Sequence, residues 1–569
     1  NAEFLVGYNT DRDNLSNFDF DIKVGGNIMR QQANVLVANN PELENFGTAP
    51  SVYTLTNARS GVQVESQKTE TGINSLFSVA TLSFQNSIFI DASYRQDWNS
   101  TLVNPIEGIE NSSYTFGYPS VALSAVISEY LPLPQAFSFM KVRTSYAEVG
   151  NGAPPYSFQN TYTPRPAFGS QAAFTTSRTI ADPNLTNERT RAFEAGLDTR
   201  LFEGRARVDL TYYDMLSFNQ VITLPVATSS GYDFSLTNGG EISNRGVELM
   251  ISGRIIDQSL FNWDVTLNAG RNVAIVESLP DVITSGQYSI VADMFPGDAS
   301  GADLEYRAVE GEEFGQLVGL GFQRAPEGSE FAGQIIHENG LPLLTEEKVS
   351  AGSFQPDVRL GINNSFKYKG FTFSFLFDGQ IGGKIYSRSH ALYNTGGTIK
   401  NLDDPNLSIT GLEGRTEYAV SYDNDGLPVY TLVDEGGVVG PGVMRNDEGE
   451  LVPNDVEVPL GGAGYTGYYY AYYGNGFNRD NIEAATFDAT YFKLRELSLR
   501  YDLPKSLSER IGIPKASIAF VGRNLLLFTE VPTIDPETFS IRNGIIVNGF
   551  ESTQIPSTRS YGVNISLSF

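Results

Sequence analysis

The sequence predicts an all-β protein, a transmembrane antiparallel β-barrel wall. Three observations predict it. Period-two alternation runs to the end of the chain: Tyr561, Val563, Ile565, Leu567 and Phe569 share one face of a strand, and Gly562, Asn564, Ser566 and Ser568 share the other. A strand that is apolar on one side and small or polar on the other suits lipid outside and a polar filling inside. The connections fall into two classes, very short and very long, as in barrels with tight turns at one rim and long loops at the other. The chain also holds 29 Tyr and 36 Phe at a mean hydropathy of −0.19. It has no apolar run of the roughly 18 residues that a transmembrane helix needs.

Each strand follows from the same period. Candidates are 18–27, 51–65, 75–84, 88–98, 119–129 and 137–149. Next comes 191–201, turned through Glu203-Gly204 into a strand that alternates Ala206, Val208, Leu210 and Tyr212 with Arg207, Asp209, Thr211 and Tyr213. Val247, Leu249, Ile251 and Ile255 form the apolar face of the next, which turns at 256–259 into Phe261, Trp263, Val265, Leu267 and Ala269. The pair 358–368 and 371–381, joined by Lys369-Gly370, sets Phe366, Tyr368, Phe371, Phe373, Phe375 and Phe377 on one side. With 491–501, 515–528 and the terminal strand, about fifteen strands result. Short turns fall at 85–87, 203–204, 256–259 and 369–370; long connections at 99–117, 150–186, 217–244, 273–355 and 382–488. Residues 503–511 read as a helical turn on the short-loop side. A large soluble sandwich or solenoid would alternate too, but sandwiches usually place a turn signal every ~8–12 residues. The aromatic content of the apolar face and the terminal Phe569 favour the barrel.

Composition removes several function classes. The net charge of −27, from 39 basic and 66 acidic residues, argues against nucleic acid, whose phosphates need Lys and Arg. Absence of Cys excludes disulfides and thiolate chemistry. His337 and His390 stand in different long connections without a spaced partner, so each reads as a solvated loop residue and not as a metal ligand or triad member. No metalloprotease, nucleophile-elbow or phosphate-loop motif occurs; no enzyme, cofactor or metal site is expected. Asp423-Asn-Asp-Gly426 begins like a calcium loop, but its twelfth position is Asp434 in place of Glu. It reads, like Asn446-Asp-Glu-Gly449, as a Gly-closed acidic turn. The acidic segment 401–458 would repel anions and favours a neutral or cationic substrate. The best candidate contact residues are Tyr465, Tyr468, Tyr469, Tyr470, Tyr472 and Tyr473, a Gly-flanked cluster in a long loop. Tyr offers a flat apolar ring and a hydroxyl, which suits stacking on a sugar or gripping a peptide. Packing of the loop itself is the competing reading.

Several segments, in order along the whole chain, resemble the SusC/RagA family of TonB-dependent outer-membrane transporters. They include Gly117-Tyr-Pro-Ser-Val121, Met140-Lys-Val-Arg-Thr-Ser-Tyr-Ala-Glu-Val-Gly-Asn151, Asp182-Pro-Asn-Leu-Thr-Asn-Glu188 and Asn238-Gly-Gly-Glu-Ile-Ser-Asn-Arg-Gly-Val-Glu-Leu249. Phe375-Leu-Phe-Asp-Gly-Gln-Ile-Gly-Gly383, Ala489-Thr-Tyr-Phe-Lys-Leu-Arg-Glu-Leu-Ser-Leu-Arg-Tyr501 and Gly522-Arg-Asn-Leu525 complete the set. The resemblance implies a barrel of roughly 22 strands, of which residues 1–569 would be the C-terminal part. The signal peptide, TonB box and plug of such proteins do not precede Asn1 in this sequence. An open edge in lipid costs several kcal/mol per unpaired backbone group. A piece of a longer protein is therefore expected, ahead of strands supplied by a second polypeptide.

The resemblance further implies import of a nutrient, glycan or oligopeptide, together with a SusD-like surface lipoprotein and energised through the TonB complex. The location implied is the outer membrane of a Gram-negative, Bacteroidota-like cell. The loops 273–355 and 382–488 would contact the lipoprotein and form the outer half of the ligand cavity. Tyr561, Val563, Ile565, Leu567 and Phe569 resemble the terminal signal read by the outer-membrane assembly machinery. A non-transporting scaffold barrel within a larger envelope assembly is the alternative.

Overall fold

The alternation is realised as hydrogen-bonded ladders. The computed structural model describes residues 1–10, 17–39, 63–105, 114–159, 162–168, 171–295, 304–395, 408–410, 417–422, 428–434, 437–459, 467–474, 480–508, 512–532, 534–542 and 545–568. Fifteen strands succeed one another in one antiparallel sheet, in chain order. They are β1 (Ala2–Asn9), β2 (Phe18–Asn39), β3 (Gln63–Phe84), β4 (Ile88–Asn99), β5 (Thr115–Val126), β6 (Phe137–Asn151), β7 (Glu188–Leu201) and β8 (Ala206–Phe218). Then follow β9 (Glu241–Asp257), β10 (Phe261–Ser278), β11 (Val358–Tyr368), β12 (Phe371–Ile381), β13 (Tyr491–Asp502), β14 (Lys515–Thr529) and β15 (Ser560–Ser568). Among the described residues no helix is long and apolar enough to cross a membrane.

The number of strands agrees with the sequence reading, but the membership does not. Ala2–Asn9 is a strand that the sequence did not announce. Candidates 51–65 and 75–84 are replaced by one ladder, β3, of 22 residues, while 51–62 lie outside the described residues. Its partner β2 is also 22 residues long, not ten. A membrane-crossing strand needs only about 9–11 residues. Beyond that height nothing enforces alternation, and Arg30-Gln-Gln-Ala-Asn34 shows none while still pairing in register with 68–72. The candidate 119–129 ends its pairing at Val126 and continues as a 3₁₀ turn, Ile127–Glu129.

The chain divides into two compact units. The first comprises 1–133, 140–197 and 213–241. Its registers align Phe18, Phe84, Ile88 and Ala125 in one row of the apolar face, then Phe20, Leu82, Ile90 and Leu123, then Ile22, Ala80, Ala92 and Val121. Farther along the same face come Ile28, Asn74, Trp98 and Thr115. Asp19, Asp21, Asp91, Ser93, Arg95 and Asp97 take the opposite face. Gly26 lets the Phe4 ring cross the β1–β2 ladder: a Cβ there would stand 2.6 Å from Phe4 Cε1.

The second unit comprises 134–139, 198–212 and 242–569. Rows of its apolar face read Trp263, Phe366, Phe373, Leu499 and Val265, Asn364, Phe375, Leu497. The rings form a continuous row of contacts, Trp263 stacked on Phe366 at 5.5 Å and Phe375 edge-on to Phe377 at 5.8 Å between centroids. Asn364 is an amide on this apolar face, and Trp263 Nε1 donates to its Oδ1 at 3.1 Å, so neither polar group is wasted. In β15, Tyr561, Val563, Ile565 and Leu567 face alongside Gly522, Phe520, Ile518 and Ala516 of β14 and are exposed, as are the residues that alternate with them. Phe569 lies outside the described residues. The short turn after β13 carries the helical turn α3, Lys505–Ser508, in its expected place.

The long connections of this unit fold onto one another. Phe295, Leu304, Leu317, Tyr386, Tyr468 and Phe550, drawn from four separate stretches of chain, share one buried core. A three-stranded sheet of Lys384–Ser387, Thr486–Asp488 and Phe550–Glu551 ties the connection 382–490 to the connection 530–559.

Candidate functional site

The polar face of the second unit carries the site, and β13 organises it. Alternation puts Tyr491 and Lys493 on that face, opposite Gln380 and Asp378 of β12. The registers of β13 shift around Leu494–Glu496, an irregularity of the kind that re-aims a side chain. Arg495 thereby reaches the same side. The connection 530–559 then returns across β12 and β13 as a strap.

Its attachment is ionic. Lys493 Nζ, only 2% exposed, donates to both oxygens of Asp535 at 2.6 and 2.7 Å and to Glu537. Arg495 grips two carboxylates: Nη2 lies 2.6 Å from Asp378 Oδ2 and 2.6 Å from Glu537 Oε1, and Nη1 lies 2.9 Å from Glu537 Oε2. Tyr491 donates its hydroxyl to Glu537 at 2.7 Å. A desolvated ammonium is tolerated only with such full pairing. Burial alone would raise Glu537, but the hydrogen bonds from Arg495, Lys493 and Tyr491 outweigh it and hold the carboxyl down at about 2.

Beside this cluster opens a cavity of about 780 Å³. Glu248, Asn268, Arg359 and Asp378 contribute from the strands, and Lys384 and Asn548 from the connections. The floor is open at Gly270, where even a Cβ would meet nothing closer than 3.9 Å. Charges of both signs and side-chain amides suit a polar solute bound through several hydrogen bonds. Among the described residues no three His, Cys, Asp or Glu groups gather as a metal site.

The strap is held at its far end by a second buried acid. Glu551 accepts from the Ser387 hydroxyl at 2.9 Å, the Ser389 hydroxyl at 2.6 Å and the Gln554 N–H at 3.1 Å. Ser389 lies in the first turn of helix α1, Arg388–Thr395.

The tyrosine cluster lies in the loop core. Tyr468–Tyr472 form the short helix α2, with Tyr468, Tyr469 and Tyr473 buried and Tyr470 and Tyr472 half-buried; Tyr465 lies outside the described residues. The reading of the two histidines as solvated is corrected: both are buried against this cluster. His337 Nε2 lies 3.4 Å from the Tyr468 hydroxyl, and the rings stack at 6.0 Å. His390 Nε2 lies 3.1 Å from the Tyr473 hydroxyl and 3.0 Å from Asn394 Nδ2, while its Nδ1 has no partner. Burial lowers both rings, His390 to about 4, so both are neutral at pH 7.

Asn446–Gly449 closes as the expected turn, with Gly449 at φ +84° and Asn446 Oδ1 accepting from the Glu450 N–H at 2.8 Å. Residues 423–427, including Asp423-Asn-Asp-Gly426, lie outside the described residues.

The sequence reading missed the ionic cluster. Lys493 on a polar strand face was visible, but Asp535 and Glu537 stand in the connection 530–559, which carried no motif. Only the register of β12 and β13 brings Asp378 to them.

Comparison with known proteins places these features. The sequence model of the TonB-dependent receptor-like β-barrel matches residues 3–327. TonB-dependent receptor P26 of Formosa agariphila is 25% identical over 84% of this chain and 45% of its own length. TonB-dependent receptor SusC of Bacteroides thetaiotaomicron is 24% identical over 54% of this chain and 32% of its own length. The chain thus spans about half the length, or less, of the curated relatives it matches. Among solved structures, the RagAB peptide importer in its open-open state superposes over all of this chain and 54% of the matched chain, with a TM-score of 0.68 at 18% identity. That likeness is one of fold.

Proposed function

The chain belongs to the TonB-dependent receptor-like β-barrel family, and from that premise we propose that it forms the greater part of the wall and loops of an outer-membrane nutrient importer of the SusC/RagA type. The importer would be energised through TonB and would work with a SusD-like surface lipoprotein in a Bacteroidota-like cell. Its cargo is a glycan or an oligopeptide, neutral or cationic. The observation that carries this reading is the two-sidedness of the wall. An apolar aromatic belt backs a face of paired charges, and that face bears a 780 Å³ polar cavity beneath a clamped strap. A scaffold barrel needs the belt but not the cavity.

The cargo meets Glu248, Asn268 and Arg359 on the cavity wall, with Tyr470 and Tyr472, the half-buried members of α2, as further contacts from the loop assembly. Deleting 273–355 or 382–488 is a poor test, because both supply the same core and either deletion would unpack the other. Point changes are the better test. In the intact protein, Glu248→Gln with Arg359→Gln should lower uptake of its cargo at least about tenfold, the equivalent of ~1.4 kcal/mol, with lipoprotein co-purification unchanged. Uptake should also cease when the proton gradient is collapsed. Uptake indifferent to both treatments would leave the scaffold reading in its place.

A further inference from the structure

We propose that a recess on the apolar side of the first unit, walled by Trp98, Tyr114, Tyr156 and Arg30, holds the sugar headgroup of an outer-leaflet glycolipid. The inference rests on the membrane placement above, but not on import: the recess belongs to the apolar face of the first unit, and the cargo cavity to the polar face of the second.

Its height follows from register. The apolar rows begin at Phe18, Phe84 and Ile88 beside the short turn 85–87 and end at Ile28, Asn74 and Trp98. The step from Phe18 to Ile28, at ~3.3 Å per residue and a strand tilt of about 40°, gives a belt about 25 Å tall, the height of a barrel's lipid-facing band. Trp98 therefore marks the far rim, where Trp and Tyr gather at the membrane–water boundary. Arg30 and Gly72 form the next row, at headgroup level on the long-loop, external side.

The recess is built, not incidental. Tyr156 holds φ at +65°, a strained conformation for a bulky residue, and its hydroxyl accepts the Glu70 N–H at 2.8 Å across 86 residues of chain. The Gly72 N–H donates to Ser100 Oγ at 2.9 Å, and Asn99 Oδ1 accepts the Thr101 N–H at 3.0 Å, fixing the 3₁₀ turn at the mouth. Gly72 leaves room for the Arg30 guanidinium, which a Cβ would approach to 3.1 Å. The volume is about 630 Å³, inside the usual range of small-molecule sites. Aromatic faces suit the C–H side of a pyranose. Asn74, Gln159 and the Glu70 carboxylate suit its hydroxyls, and Arg30 suits a headgroup phosphate. A soluble cargo seated here would be on the wrong side of the wall to pass through it. A lipid-anchored sugar is delivered by the bilayer itself.

The test is native mass spectrometry of the intact protein extracted in mild detergent from its own outer membrane. The wild type should retain glycolipid. Trp98→Ala and Arg30→Gln should each reduce the retained fraction about tenfold. Trp98→Phe should keep most of it, and Phe18→Ala, at the opposite end of the same unit's apolar rows, should change nothing. Resistance to detergent unfolding before heating confirms assembly; Arg30→Gln and Gln159→Ala alter exposed side chains and stand in if Trp98→Ala does not assemble. Equal retention in Arg30→Gln and Gln159→Ala overturns the proposal. So does a lipid-free headgroup saccharide that binds as tightly as the glycolipid. Loss of uptake with glycolipid retained would assign the recess to cargo, refuting this inference while leaving import standing.

Discussion

At the residue scale, Lys493 decides whether the strap 530–559 stays down. Its ammonium faces Asp535 and Glu537 with almost no water, and removing one partner from a buried pair costs about 3–5 kcal/mol. Lys493→Met should leave the wall assembled but expose the strap to proteolysis at protease levels that spare the wild type. Arg495→Lys, which keeps the charge but loses the two-carboxylate grip, should give a smaller effect. Cleavage as slow as in the wild type would mean the clamp is ornamental. The pH dependence has a definite sign. Glu537 sits at about 2 when folded against roughly 4.3 when free. A depressed carboxyl contributes fully above the free value and loses its contribution as the pH falls from ~4.3 toward 2. The strap should thus resist cleavage at pH 5 and yield to an acid-active protease below about pH 4. His390 acts in a higher window. Its folded value of about 4 lies below the free 6.5, so the unfolded chain takes the proton first, and stability falls as the pH drops from ~6.5 to 4. His390→Gln should flatten melting temperature against pH across that interval; an unchanged slope would assign it elsewhere. None of this was legible in the sequence. A histidine without a spaced partner looks solvated until four distant stretches of chain pack around it.

At the element scale, alternation is informative only where lipid enforces it. It located β4, β11, β12 and β15 closely, since each is little longer than the membrane is thick. It stopped at residue 27 in β2 because the ladder there leaves the belt, and it passed over β1, whose eight residues include Gly7 and end in Asn9. The β1–β2 ladder depends on two adjacent glycines. A Cβ on Gly25 would stand 2.6 Å from the Phe77 ring and 2.7 Å from the Phe4 carbonyl oxygen. The ring can turn; the backbone oxygen belongs to the ladder. Gly25→Val should therefore cost about 1–3 kcal/mol of overpacking and release β1 from β2. A disulfide between cysteines placed at the paired positions Glu3 and Asn27 reads this directly. It should form readily in the parent and poorly with Gly25→Val. Equal yields would show that the strand absorbs the added methyls.

At the scale of the whole molecule, the sequence disclosed what the chain presents to its solvent but not what its loops do with one another. The belt is periodic and local. The loop core joins Phe295, Tyr386, Tyr468 and Phe550 across 255 positions, from 295 to 550, and no window of sequence contains it. The tyrosines that looked most like a ligand surface are, for Tyr468, Tyr469 and Tyr473, part of that core. The claim about solvent can be tested on one strand. Phe375 and Leu376 are neighbours in β12; Phe375 lies in the stacked aromatic row beside Asn364 and Leu497, and Leu376 lies on the other face beside Asn363 and Glu496. An arginine among acyl chains near mid-bilayer costs about 2–4 kcal/mol, whereas lumen-facing positions tolerate charge. Phe375→Arg should sharply lower the fraction that reaches the heat-modifiable, membrane-inserted form. Leu376→Arg, with Glu496 at its paired position, should assemble nearly as the parent does. A water-soluble sheet would give the same order for a different reason, because its aromatic row would be a protein core and the face of Leu376 its wet surface. In that case Phe375→Arg would unfold a protein that never needed detergent. The two proteins, assayed side by side in membranes and in buffer, separate lipid from water as the solvent of the aromatic face.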